Sequence, residues 1–386
     1  MSFDKFNLHP SILAGVRELG YSIPTPIQKQ AIPPIMQGRD VIGLAQTGTG
    51  KTAAFVLPIL QRLQSRPKRC AQALIISPTR ELAEQTAEAI NKLGRATGLR
   101  GVTVYGGVGI EQQNRELNRY PEIIVACPGR LLDHLWKGTI NLSNLEILII
   151  DEADRMLDMG FLPDIRNILR CIMHRHQTLL FSATMPASIR GLVREIMLDP
   201  LTVQIGRTLP AKTVSHALYP VRQHLKTSLL KEILNRTETD SVLVFTRTKH
   251  RTARLARQLS GYGYRVASLQ GNLSQGQRQA ALSGFRNGSA KIMVATDIAA
   301  RGLDILSISH VINYDMPEST DDYIHRIGRT GRVHQSGEAF TLVTDADMDK
   351  IRALERLLKT PLKRLIIQGF DYDRPTPEKQ FAFRSV

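Results

Sequence analysis

Cysteine, long apolar runs and an export signal are what this chain of 386 residues most plainly lacks. Its three cysteines, Cys70, Cys127 and Cys171, stand far apart, with no CxxC spacing and no histidine pair at finger spacing. Neither a disulfide framework nor a zinc module is expected to organise the fold. The longest apolar stretches, such as the one ending at Ile150, fall far short of the roughly 20 residues needed to cross a bilayer. No membrane association is expected. The opening MSFDKFNLHP has neither the basic nor the apolar region of a signal peptide, so the expected location is cytoplasmic.

Acidic charge is also in deficit. Lys and Arg number 51 against 35 Asp and Glu, a net +16, which makes a polyanion the first partner to consider. Residues 1–207 carry 24 basic and 18 acidic side chains and residues 208–386 carry 27 and 17, so both halves are basic. The last 17 residues are balanced, three against three, and the excess therefore belongs to the folded part.

Between Asp40 and Val203, short β-branched runs alternate with segments of helical period: DVIGLA, ALIIS, GVTVY, EIIVA, LEILII and TLLFS read as strands. Strands that are apolar almost throughout indicate burial on both faces, the habit of a parallel sheet covered by helices. The pattern then restarts with SVLVF, YRVASL, KIMVAT, SHVINY and EAFTLV, separated by helical stretches such as HRTARLARQL and QGQRQAALSGF. An α/β chain of two similar tandem domains follows, 1–207 and 208–369, with a linker at about 206–213 and a short tail, 370–386, whose aromatic residues are expected to fray.

The segment AQTGTGKT, Ala45 to Thr52, follows a strand and opens a helix, as a phosphate-cradling loop requires. Its glycines let successive backbone N–H groups turn toward phosphate oxygens. Lys51 can reach the β and γ oxygens, and the Thr52 hydroxyl can contribute to Mg²⁺ binding. The strict pattern asks for Gly at 45, where Ala stands. Asp151 ends a buried strand, at the edge where α/β sheets bind ligands, and is the expected holder of Mg²⁺. Glu152 is placed to orient and deprotonate a water attacking the γ-phosphate.

The remaining motifs carry a family resemblance. GYSIPTPIQ (20–28), AQTGTGKT, PTREL (78–82), Gly106-Gly107, CPGR (127–130), DEAD (151–154), SAT (182–184), VFTRT (244–248), QGN (270–272), ATDIAARGLD (295–304) and HRIGRTGR (325–332) occur in the order seen in DEAD-box RNA helicases. The chain resembles that family from residue 3 to about 365, and most of all its bacterial RhlE-like group. The resemblance implies two RecA-like domains, each a mostly parallel sheet with helices on both faces, that close around ATP, Mg²⁺ and single-stranded RNA.

Carried over by position, it implies that Gln28 reads the adenine edge, with Phe3 and Tyr21 near the base. The loop residues Ala45, Gln46, Thr47, Gly48, Thr49, Gly50, Lys51 and Thr52 would hold the phosphates, and Gly302 and Asp304 would meet the ribose and triphosphate. Lys51, Asp151 and Glu152 would act in catalysis with Arg329 and Arg332, whose planar guanidinium groups suit a charge-spreading transition state. Asp154, Ser182, Thr184, His325 and Arg326 would couple the motifs.

RNA would be held through its backbone by Thr79, Arg80, Gly107, Gly129 and Arg130 in the first domain. In the second, Arg247, Gly271, Asn272, Gln275, Arg278, Thr296 and Asp297 match or neighbour the family's positions. Such contacts carry little base information. One departure is Cys127 where the family usually has Thr; a thiol is a weak donor, so a phosphate contact there should be weaker.

The implied activity is RNA-stimulated ATP hydrolysis coupled to local unwinding of short duplexes or remodelling of RNA–protein complexes, ribosomal or messenger RNA being the targets in view. A monomer is the family default. A DNA-directed motor and a non-hydrolysing RNA clamp are the alternatives; the Gln28 motif argues against the first, and Glu152, Arg329 and Arg332 against the second.

Overall fold

The computed structural model describes residues 2–46, 48–66, 70–172, 174–205, 214–237, 241–300, 308–330 and 337–375, the side chains at 275, 298 and 321 excepted. The chain divides into two compact units, Met1–Thr208 and Leu209–Val386. The linker expected at 206–213 lies outside the described residues. No helix among the described residues is long and apolar enough to cross a membrane.

The first unit is a seven-stranded sheet of β1 (Val41–Leu44), β2 (Ala73–Ile76), β3 (Gly101–Val104), β4 (Ile123–Ala126), β5 (Ile147–Asp151), β6 (Gln177–Ser182) and β7 (Leu201–Gln204). The order is β3-β4-β2-β5-β6-β1-β7 and every pairing is parallel. Because successive strand residues point to opposite faces, each inner strand feeds two cores. Ile75, Ile149, Leu179 and Phe181 join one apolar cluster, while Leu74, Ile76, Ile150 and Leu180 join the other. Asp151, one residue beyond Ile150, falls at the strand's carboxyl end. With β5, β6 and β1 side by side, Asp151, Ser182 and the loop after Leu44 are brought to one edge of the sheet.

The second unit repeats the plan. Its strands are β8 (Val214–Pro220), β9 (Val242–Phe245), β10 (Val266–Leu269), β11 (Ile292–Ala295), β12 (His310–Asn313), β13 (Gly337–Val343) and β14 (Lys363–Arg364), in the order β10-β11-β9-β12-β13-β8-β14, again all parallel. Advancing each strand number of the first sheet by seven reproduces the second, so the restart of the sequence pattern is a repeat of topology. Both sheets, helix-covered on two faces, are of the RecA-like α/β type.

Three strands escape the sequence pattern. The edge strand β7 alternates buried and exposed residues, β8 is interrupted by Ser215 and His216, and β14 is two exposed residues long. The tail also differs from expectation. Phe370 and Tyr372 pack edge to face at 4.8 Å against the apolar core of the second unit, and the Tyr372 hydroxyl accepts from the Ile367 amide at 2.8 Å. Phe381 and Phe383 lie outside the described residues.

Candidate functional site

The phosphate loop leaves β1 with the Ala45 amide bonded to the Ser182 carbonyl at 3.0 Å, then turns into the helix Lys51–Leu63. Gly48 and Gly50 sit at φ +81° and +92°, a region that L side chains rarely adopt. Gly50 is required for a second reason: a Cβ there would lie 2.5 Å from Gln28 Nε2 and 2.9 Å from Thr25 Oγ1. Gln28 Nε2 donates to the Gly50 carbonyl at 3.0 Å, and Gln28 Oε1 accepts from the Thr25 amide at 2.9 Å. One amide hydrogen and one oxygen lone pair of Gln28 therefore remain for a ligand. Thr49 Oγ1 closes the loop onto the Gln46 carbonyl at 2.7 Å. Lys51 is buried at the helix start, with Thr52 half-buried beside it, where the helix dipole favours an anion. Thr47 lies outside the described residues.

Asp151 is 2% exposed, and its Oδ1 has no hydrogen-bond partner. Burial pushes its carboxyl pKa up to about 6, against the pull of the Lys51 and Arg155 charges and with a smaller push from Asp154. A buried carboxylate oxygen without a donor, near a phosphate loop, suits a hard divalent cation, so these residues fit Mg²⁺. Glu152 follows with φ +53° and ψ +53°, a left-handed conformation that costs a non-glycine residue on the order of 1 kcal/mol. Its carboxylate pairs with Arg155, and both are buried.

Asp154 binds the end of β6. Its Oδ2 accepts from the amides of Ala183 at 3.1 Å and Thr184 at 2.9 Å and from Thr184 Oγ1 at 3.1 Å. Ser182 completes the link, accepting from the Asp154 amide at 3.2 Å and donating to the Thr184 carbonyl at 2.7 Å. Three of the five expected coupling residues thus form one cluster.

Expected RNA-binding residues of the first unit also converge. Thr79 Oγ1 caps the helix Arg80–Leu93 by accepting from Leu82 at 3.3 Å. The Arg80 guanidinium lies over Gly107, whose φ is +84° and whose Cβ would stand 2.2 Å from Nη1. Arg130 Nη1 donates to the neighbouring Val108 carbonyl at 3.2 Å. Gly129 has open space where a Cβ would go. Cys127 occupies the cap position of the helix Pro128–Trp136 without a side-chain hydrogen bond, and burial pushes its thiol up to about 12.

In the second unit Arg326 is the hub. Nε and Nη2 grip Asp297 at 2.6 and 2.7 Å, Nη1 donates to Asn313 Oδ1 at 3.1 Å and the Asp315 carbonyl at 2.7 Å, and the guanidinium stacks over Phe245. Asp297, expected as an RNA contact, instead has both carboxylate oxygens on Arg326. The Arg247 amide donates to Asp315 Oδ2 at 2.9 Å, and Asn272 Oδ1 accepts from Lys249 at 3.0 Å. Thr296 donates its amide to Leu269 at 3.3 Å. Gly271 has open space, Arg278 and His325 are half-buried and Arg329 is buried. Gly302, Asp304 and Arg332 lie outside the described residues, as does the side chain of Gln275.

Phe3, expected near the base, is buried with Phe6 at 5.9 Å, while the more exposed Tyr21 stacks on it at 6.3 Å. Residues not singled out from the sequence are Thr25, Arg155, Asn313 and Asp315. Thr25-x-x-Gln28 is a capping-box pattern and could have been found. The other three are defined by tertiary partners and leave no local signal.

A phosphate loop beside a buried acidic strand end, on a RecA-like sheet whose topology is then repeated, defines a nucleotide-binding α/β protein of the P-loop class. Comparison with known proteins narrows the class. The DEAD/DEAH box helicase family model matches residues 25–192 and the helicase conserved C-terminal domain matches residues 225–334. The chain is 44% identical to the ATP-dependent RNA helicase CshA of Limosilactobacillus reuteri, over 94% of this chain and 74% of that one. It is 41% identical to the DEAD-box ATP-dependent RNA helicase CshA of Bacillus subtilis, over 95% and 74%. Among solved structures, S. cerevisiae Dbp5 bound to RNA and ADP BeF3 is similar at a TM-score of 0.86, with 29% identity over 94% of this chain and 95% of that one. Mss116p bound to ssRNA and AMP-PNP gives 0.83, with 27% identity over 94% and 78%. The chain belongs to the DEAD-box helicase family. Both bacterial relatives carry the CshA name, not that of the RhlE-like group.

Proposed function

We propose that this chain is an ATP-dependent RNA helicase that grips the RNA backbone, hydrolyses ATP when RNA is bound and opens short duplexes locally. The observation that carries the reading is the unpartnered, buried Asp151 oxygen at the same sheet edge as the Lys51 loop. The backbone amides of the loop and Lys51 neutralise phosphate charge, and Thr52 and Asp151 would hold Mg²⁺. That cation, when bound, screens and orients the phosphate oxygens. Glu152 orients the attacking water and takes its proton, for which it must leave Arg155. Gln28 selects adenine with its spare donor and acceptor, and Tyr21 offers the exposed ring.

Arg329 and Arg332 supply positive charge to the transition state, an effect worth on the order of 10³ in rate. Thr79, Arg80, Gly107, Gly129 and Arg130 bind phosphates in the first unit, and Arg247, Gly271, Asn272 and Arg278 in the second. Because both ligands favour the same closed arrangement, ATP and RNA bind cooperatively. A cytoplasmic monomer acting on ribosomal or messenger RNA is the setting this reading favours. Replacing Glu152 with Gln tests it: hydrolysis should be abolished with ATP binding preserved, and retained turnover would remove Glu152 from the role of base.

A further inference from the structure

Three neighbouring strands of the second unit, β9, β12 and β13, end at one edge of the sheet, and each is followed by a charged side chain directed to the same point. Arg247 comes after β9, Glu318 after β12, and Lys350 in the first turn of the helix that follows β13. Glu318 bridges the other two: Oε1 lies 3.0 Å from Arg247 Nε, and Oε2 lies 2.5 Å from Lys350 Nζ. Each carboxylate oxygen thus takes one cation. The Arg247 backbone is fixed from below, where its amide donates to Asp315 Oδ2 at 2.9 Å, and the other oxygen of that carboxylate pairs with Arg251 at 2.9 Å.

We propose that Arg247 and Lys350 form a binding site for one RNA backbone phosphate, and that the Glu318 carboxylate occupies this site until RNA displaces it. The inference rests on the RNA-binding reading given above and adds to it a second cation and a built-in competitor. The chemistry supports the exchange. A carboxylate and a phosphodiester both present two oxygens to two donors, and an arginine beside a lysine accepts either. The bridge is solvent-exposed, with Glu318 62% and Arg247 47% accessible at the side chain, so holding it closed is worth little and a multivalent polyanion can open it. Lys350 and Arg247 both hold the Glu318 carboxyl below its usual range, so it is charged and competes whenever RNA would bind. The position is also right, since ligands of parallel α/β sheets bind at the carboxyl ends of strands.

The test is equilibrium binding of the full chain to a labelled single-stranded RNA, with a non-hydrolysable ATP analogue and magnesium, at several salt concentrations. Glu318→Gln removes the competing charge while keeping the side chain's shape. It should tighten RNA binding by about 3- to 10-fold, because RNA then has no carboxylate to displace. The double variant Glu318→Gln with Lys350→Gln should lose that gain and show a salt dependence shallower by roughly 0.7, the decrement for one phosphate no longer neutralised on a single strand. Unchanged or weaker binding for Glu318→Gln, or a double variant that keeps the gain in affinity, would overturn the proposal. Failure of the wild-type chain itself to bind RNA would overturn the functional reading instead, and the proposal with it.

Discussion

Asp154 and Thr184 meet through one carboxylate oxygen, which accepts from both the amide and the hydroxyl of Thr184 at 2.9 and 3.1 Å. This bond ties the helix that carries the acidic motif to the end of β6, which pairs directly with β1, the phosphate loop's own strand. Asp154→Ala leaves the Ala183 and Thr184 donors without their acceptor. It should lower the stability of the first unit by about 2 kcal/mol, as loss of charged hydrogen bonds generally does, and be read as a lower thermal midpoint. An unchanged midpoint would show that the cluster is not a clamp.

Gln28 is joined to the phosphate loop through the Gly50 carbonyl and to its own helix start through the Thr25 amide. Gln28→Ala removes both ties as well as the spare donor and acceptor, and should weaken adenine nucleotide binding at least tenfold in a fluorescence titration. Gln28→Glu keeps the acceptor for Thr25 but has no donor for Gly50, and should fall between the two.

Cys127 and Cys171 should separate in alkylation at pH 8. Burial, with Glu81 adding to it, raises the Cys127 thiol to about 12, so almost no thiolate is present, whereas Cys171 is exposed. Iodoacetamide should modify Cys171 first, as read by mass spectrometry. Cys127→Thr supplies a hydroxyl at a helix cap that lacks one and should stabilise the first unit by about 1 kcal/mol.

His134 gives the first unit a dependence on pH. It is buried between Thr139, at 2.7 Å from Nδ1, and Gln113, at 3.2 Å from Nε2, and burial lowers its pKa below 6.5, helped by the Arg130 and Lys137 charges. The unfolded chain therefore takes up a proton near pH 6.5 that the folded chain refuses. Stability is full above that pH and falls as pH drops from about 6.5 toward the folded-state value. His134→Gln should flatten the change in unfolding midpoint between pH 7.5 and 5.5, and an equal change in both proteins would contradict the assignment.

Much of this was legible because buried parallel strands announce themselves. The runs at 73–77 and 122–126 have no alternation to misread, and glycines in the phosphate loop mark positions that only glycine tolerates. Edge strands such as Leu201–Gln204 are half-solvated and lack that signature. Among the site residues, Lys51 and Asp151 follow from local pattern. Arg326 is different: its partners Asp297, Asn313 and Asp315 come from the ends of separate strands and loops, and only the fold brings them together. The packing of Phe370 and Tyr372 is hidden from the sequence for the same reason, since a terminal segment shows nothing of the surface it covers.

The central claim is that ATP hydrolysis by this chain is coupled to RNA, and steady-state hydrolysis measured alone, with single-stranded RNA and with DNA of matched sequence tests it most directly. Stimulation by RNA well above that by DNA is the predicted result. Equal stimulation by DNA, or none by RNA, would contradict the account.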